Sequence, residues 1–159
     1  MNIIKVGMAD MNVACSPDVL RTVGLGSCVG VAIIDLSCKV AGLAHIMLPA
    51  AGRLDVENPA KYADTAVPLL VQKMQQQGAC LNRMIAKLAG GAQMFTNLNQ
   101  SDLIRVGPRN VEAVKTVLDQ LRIPVRGEDT GGNAGRTIDF SAADGSLTIR
   151  TVAQGVKTI

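Results

Sequence analysis

Apolar positions along this chain fall into two kinds of pattern: near-continuous runs and helical stripes. Residues 28–35 (CVGVAIID) and 40–47 (VAGLAHIM) are runs rich in Val and Ile, which predicts two buried strands. Only Leu36-Ser37-Cys38-Lys39 lies between them, so the pair reads as a β-hairpin. Ala63, Ala66, Val67, Leu70, Val71 and Met74 recur at helical spacing. Asn58-Pro59 supplies an N-cap and first-turn proline ahead of that stripe, and Gly78 closes it. Pro68 interrupts the stripe and predicts a kink. A second helix opens at Asn110 as its N-cap, presents Val111, Val114, Leu118 and Leu121 on one face, and stops before Pro124. Shorter strands are expected near 3–6, 8–13, 83–88, 125–128, 137–140 and 146–152. Turn chemistry sits at Cys15-Ser16-Pro17-Asp18 and Asp144-Gly145. The sum is a single α+β domain over residues 1–159, a layered sandwich with a mixed, largely antiparallel sheet and two main helices.

Composition narrows the function. Hydrophobic residues make up 48% of the chain and charged ones 18%, which excludes a disordered chain. The aromatics are Tyr62, Phe95 and Phe140, so the core must be Val, Ile, Leu, Ala and Met. That scarcity argues against single-stranded nucleic-acid binding, which stacks bases on aromatic rings. The net charge of +3 is scattered rather than striped, so neither nucleic acid nor a membrane surface is expected as a partner. The N-terminus lacks the charged and apolar regions of a signal peptide, and no apolar run reaches the length of a membrane span; the expected location is the cytoplasm. Cysteines stand at 15, 28, 38 and 80 with no CxxC pair, and His45 is the one histidine. That set is poor for a zinc site, and in a reducing compartment it reads as four free thiols. The segment GGNAGR at 131–136 is glycine-rich but lacks the Lys-Ser/Thr ending of a P-loop and precedes a strand. It reads as a plain turn or as a loop beside the active site or a partner. No cofactor and no metal are expected.

The segment Gly24-Leu25-Gly26-Ser27-Cys28-Val29-Gly30 carries the chemistry. Two glycines before a cysteine let the backbone turn sharply and place a sulfur where loop becomes strand. The loop backbone at Gly26 and Ser27 is the candidate oxyanion hole, with the N–H groups of Ser27 and Cys28 as donors. The hairpin brings His45 to the same place. A loop of Leu36-Ser37 sets Cys28 directly opposite His45; a loop of Ser37-Cys38 sets Cys28 opposite Met47, with His45 one diagonal step away on the same face. An odd-length loop would separate their faces. Taken alone, a lone Cys at a strand start or a lone His in an apolar strand is more often structural than catalytic; their register match is what raises the pair above that reading. A thiol near its ordinary pKa of about 8.5 is mostly protonated, and a neighbouring imidazole can take that proton. On this reading the Cys28 thiol is depressed by His45, and the ion pair stands ready in the resting state. Thr22 is the nearest polar candidate to orient the histidine.

These residues resemble a known family. TVGLGSCVGV (22–31) followed by LAHIMLP (43–49) is similar to the CheD family of receptor glutamine deamidases. The likeness continues through KYADTAVPLLV (61–71), AKLAGGAQMF (86–95), VGPRN (106–110) and GGNAGRTIDF (131–140). Pro108 in VGPRN and Leu88-Ala89 in AKLAGGA depart from the expected pattern, away from the cysteine and histidine. The resemblance implies a layered α/β sandwich and a cysteine-dependent protein-glutamine glutaminase that converts glutamines on the cytoplasmic domains of chemoreceptors to glutamate, with ammonia released through a thioester. It implies a Cys28, His45, Thr22 triad, and CheC as a further partner. The rival readings are an adaptor that binds CheC and modulates its phosphatase activity on phosphorylated CheY, and a thiol amidase for small molecules.

Overall fold

In the computed structural model the two apolar runs become β4 (Val29–Asp35) and β5 (Val40–Ile46), and every residue of both is buried. Their burial on both faces explains why neither run alternates. The pairing runs from Asp35↔Val40 through Gly30↔His45 to Val29↔Ile46, closed by Leu36-Ser37-Cys38-Lys39. The structure describes residues 1–53, 55–93 and 105–159; Met94 and Phe95, the end of one quoted segment, lie outside the described residues.

β4 and β5 form the centre of a five-stranded sheet ordered β2-β5-β4-β6-β7, with β2 (Met11–Cys15), β6 (Met84–Gly90) and β7 (Val125–Thr130) around them. A second five-stranded sheet is ordered β1-β3-β8-β9-β10, from β1 (Ile3–Lys5), β3 (Val19–Leu25), β8 (Arg136–Ser141), β9 (Leu147–Thr151) and β10 (Gly155–Thr158). On one face of the central sheet, Val29, Val31, Ile33, Ala44 and Ile46 pack with Val67, Leu70 and Met74 of α1 (Ala63–Gln76) and Val114 and Leu118 of α2 (Val106–Gln120). On the other, Ala32, Ile34, Ala41 and Leu43 meet Leu20, Ile138, Phe140, Leu147 and Ile149 of the second sheet. Helices, sheet and sheet make three layers, the expected α+β sandwich with its strands shared between two mixed sheets. No helix among the described residues is long and apolar enough to cross a membrane.

Three local readings change. Asn58 caps only a short 3-10 turn, Pro59–Lys61, by accepting from the Ala60 N–H at 3.2 Å; α1 starts beyond Tyr62. That helix runs on past Pro68, which sits on its exposed side. Gly78 takes a positive φ just beyond the end of α1, as its reading as a stop requires. Most consequential is α2, which begins at Val106 rather than Asn110, because Pro108 in the first turn has no N–H that the helix would use. Asn110 is therefore not an N-cap. It lies inside the helix and is fully buried.

Candidate active site

Cys28 directly precedes β4, and His45 lies in β5 opposite Gly30. This is the diagonal arrangement of the two that the hairpin allowed. Cys28 packs into the cluster between the two sheets, and His45 reaches into the same space to meet Thr22 of β3. Cys28 is 8% exposed, Thr22 2% and His45 not at all. β3 carries Thr22 inward because its alternation places Leu20 and Thr22 on the buried face. Beyond Thr22 its pairing with β8 shifts register before Leu25↔Arg136, where Gly24 adopts φ +74. That irregularity turns the chain into the cysteine loop.

The proton count at Thr22 fixes the state of the histidine. Thr22 Oγ1 lies 2.7 Å from the carbonyl oxygen of Val6 and 2.7 Å from His45 Nδ1. A carbonyl can only accept, so the single hydroxyl proton of Thr22 goes to Val6. The hydroxyl must then accept from His45, which puts the ring proton on Nδ1. Nε2 is left as the lone-pair nitrogen, and it is buried without a hydrogen-bond partner among the described residues. The strand is fixed too: the His45 N–H donates to the Asp10 carbonyl at 2.9 Å, and its carbonyl accepts from the Ala9 N–H at 3.1 Å.

Burial pushes the Cys28 thiol up, opposed by the residue's own backbone N–H, and burial pushes the His45 imidazole down. Both groups are thus driven to their neutral forms. Burial thus favours the thiol and the neutral imidazole over the standing thiolate–imidazolium pair expected from the sequence.

The cysteine loop is held by its carbonyls. Gly26 accepts from the Ala92 N–H at 2.9 Å, Cys28 from the Gly91 N–H at 2.8 Å, and Ser27 from Asn110 Nδ2 at 3.0 Å. In a trans peptide the C=O and the next N–H point in opposite directions. Pinning the Gly26 and Ser27 carbonyls therefore aims the N–H groups of Ser27 and Cys28 the other way. The Gly26 N–H is engaged by the Gly24 carbonyl at 3.0 Å, so Gly26 shapes the loop while Ser27 and Cys28 keep donors to offer. Gly90 is needed here: at φ +108, a side chain would collide with the Cys28 carbonyl. The GGNAGR segment adjoins this support, since the Gly131 N–H bonds the Gly90 carbonyl at 3.0 Å and Arg136 closes back on the Gly131 carbonyl at 2.9 Å.

The family model described as CheD, chemotactic sensory transduction, matches residues 47–151. A protein of Caldanaerobacter subterraneus subsp. tengcongensis named as a probable chemoreceptor glutamine deamidase CheD is 52% identical over 158 residues, covering 99% of this chain and 98% of that protein. The chemoreceptor glutamine deamidase CheD of Halalkalibacterium halodurans is 54% identical over 160 residues, covering 99% of each. That of Bacillus licheniformis is 51% identical over 160 residues, covering 99% of this chain and 95% of that protein. The chain belongs to the CheD family.

Within this CheD-family chain, Thr22 and His45 are joined by a hydrogen bond, and Cys28 lies one diagonal step from His45 in the hairpin. Cys15 and Cys38 are exposed and Cys80 is half-buried, with Cys80 Sγ against Asn82 Oδ1 at 2.7 Å. Two contributors escaped the sequence reading: the Val6 carbonyl and Asn110. A signal for Asn110 existed, because it stands at i, i+4, i+8 with Val114 and Leu118, a polar residue on a buried stripe.

A single histidine makes the tautomer measurable. In the imidazole NMR spectrum of the folded protein, His45 is expected as the Nδ1–H tautomer, titrating below the ordinary value of about 6.5. The unfolded chain takes up this proton below about pH 6.5 while the folded one still refuses it. Stability should therefore fall as pH drops through the window between the unfolded and the lower folded value. His45→Gln should flatten that part of the acid limb in denaturant titrations. An Nε2–H tautomer would contradict the proton count, and a folded pKa above the ordinary value would contradict the effect of burial.

Proposed function

We propose that this chain is a cytoplasmic chemoreceptor glutamine deamidase that works through Cys28, His45 and Thr22. The observation that carries the mechanism is the buried His45 Nε2: a lone-pair nitrogen with no partner among the described residues, on the cysteine's side of the hairpin. The names of the close relatives support the substrate and the reaction. In the proposed reaction, Nε2 removes the Cys28 proton as the sulfur attacks the carboxamide carbon of a substrate glutamine. The oxyanion is accepted by the N–H groups of Ser27 and Cys28. Collapse expels the nitrogen, which takes the proton from Nε2 and leaves as ammonia, giving a thioester. Nε2 then deprotonates a water that attacks the thioester, and the products are glutamate and the restored thiol. With Cys28 only 8% exposed, the substrate must offer a slim, extended side chain, which suits glutamine. An adaptor for CheC has no use for a buried base held in one tautomer, so the arrangement favours the enzyme over that reading.

The test is the intact mass of a chemoreceptor cytoplasmic fragment incubated with the protein. Each deamidation exchanges NH₂ for OH and adds about 1 Da. Stepwise gains are expected, with peptide mapping placing them at glutamines. An unchanged fragment mass under conditions where the protein remains folded would refute the proposal.

A further inference from the structure

Asn110 sits at the open end of the hairpin and joins both halves of the site. Its Nδ2 donates to the Ser27 carbonyl at 3.0 Å and to the Met47 carbonyl at 2.9 Å. Two carbonyl oxygens can be served only by an NH₂ group, so the orientation of the amide is fixed. Ser27 precedes the cysteine, and Met47 is two residues beyond the histidine. The other end of the amide, Oδ1, is buried with no partner among the described residues. A residue kept only for packing on this stripe would be apolar, like Val114 and Leu118; this one accepts an unpaired oxygen in order to present two donors.

We infer that Asn110 is a positioning residue for deamidation: by clamping the Ser27 carbonyl it aims the Cys28 N–H at the developing oxyanion, and by holding Met47 it ties that loop to the histidine strand. The inference rests on the proposed Cys28 chemistry and deepens it. The peptide between Ser27 and Cys28 is rigid and trans, so one hydrogen bond at its carbonyl end sets the direction of the donor at its other end. Ala92 and Gly91 pin the neighbouring carbonyls from the backbone, where any substitution other than proline leaves the N–H in place. Of the three supports, only the Ser27 one comes from a side chain.

Asn110→Leu keeps the branching and number of side-chain heavy atoms and removes both donors. Deamidation of the receptor fragment should lose roughly 10²-fold in kcat, the scale of one misplaced oxyanion donor, with KM within about twofold. Alkylation of Cys28 by iodoacetamide, followed by peptide mapping, forms no oxyanion and should stay within a few-fold of wild type. General damage to the site would instead change both rates together. Asn110→Asp supplies a second reading, because a protonated carboxyl can donate to one carbonyl and a carboxylate to none. The ratio of its kcat to that of wild type should rise as pH falls. A folded Asn110→Leu with wild-type kcat, or an Asn110→Asp ratio flat with pH, overturns the inference and leaves the Cys28 reading standing. If neither variant folds, Asn110 is structural and the inference is wrong. If Cys28→Ala still deamidates the same fragment, the underlying reading has failed instead.

Discussion

Cys28→Ala is expected to bring receptor deamidation down to background while the protein stays folded. On the proposed mechanism the substitution removes the atom that forms the thioester, and backbone donors cannot supply a nucleophile. The cost to the fold should be small, about 1 kcal/mol, because a single sulfur is lost from a buried site whose thiol is neutral. Cys28→Ser should be nearly as inactive, since a hydroxyl is far less acidic than a thiol and burial makes it less so. Circular dichroism, melting temperature and the intact-mass assay on one preparation decide the matter. Stepwise mass gain with folded Cys28→Ala would remove Cys28 from the chemistry.

The second large effect belongs to the base. Substituting His45 by Gln leaves a polar side chain in place and removes the nitrogen that takes the thiol proton. Because the thiol is pushed up rather than down, little thiolate exists without a base, and the rate should fall by about 10²–10⁴-fold. The double variant with Cys28→Ala should be no worse than Cys28→Ala alone, because the two act as one unit. Thr22→Val is the graded control: it keeps the shape and removes the acceptor that holds the proton on Nδ1. A loss of roughly 10-fold in kcat is expected, since the ring can still reach the working tautomer part of the time. Near-wild-type turnover in folded His45→Gln would rule out the Cys–His mechanism.

Much of this site could be read before any coordinates, for a physical reason: a hairpin has a side-chain period of two and an even-length connection. Either even-length loop sets Cys28 and His45 on one face, an odd-length loop would have split them, and the observed Gly30↔His45 pairing is one of the two even registers. Strands whose pattern comes from burial on both faces were equally plain, as β4 and β5 show. β3 was not legible because its inward positions are Leu20, a threonine and, after an irregularity, Leu25, so neither an apolar run nor clean alternation survives. β10 is exposed throughout, with no buried face to leave a trace in composition. Asn110 was misread because a polar residue beside a proline resembles a helix start, and only the packing of α2 against the cysteine loop reveals its other use. The direction of the thiol's shift was beyond spacing arguments, since spacing locates a neighbouring base and says nothing of desolvation.

The hydrogen bond from Thr22 to Val6 ties the chemistry to the first strand of the chain. β1 is three residues long, mostly exposed, and pairs only along the edge of its sheet with β3. Val6 follows it, buried, with its N–H on the Arg21 carbonyl at 2.7 Å. Without the Val6 carbonyl, the Thr22 proton would be free to turn toward His45 Nδ1, and the ring would then carry its own proton on Nε2. Every residue of the triad would still be present, at the same spacing, with the base already occupied. The nitrogen shifts of the single imidazole would register the change. Peeling back the N-terminal edge would thus work as an off switch thrown by moving one proton between two nitrogens.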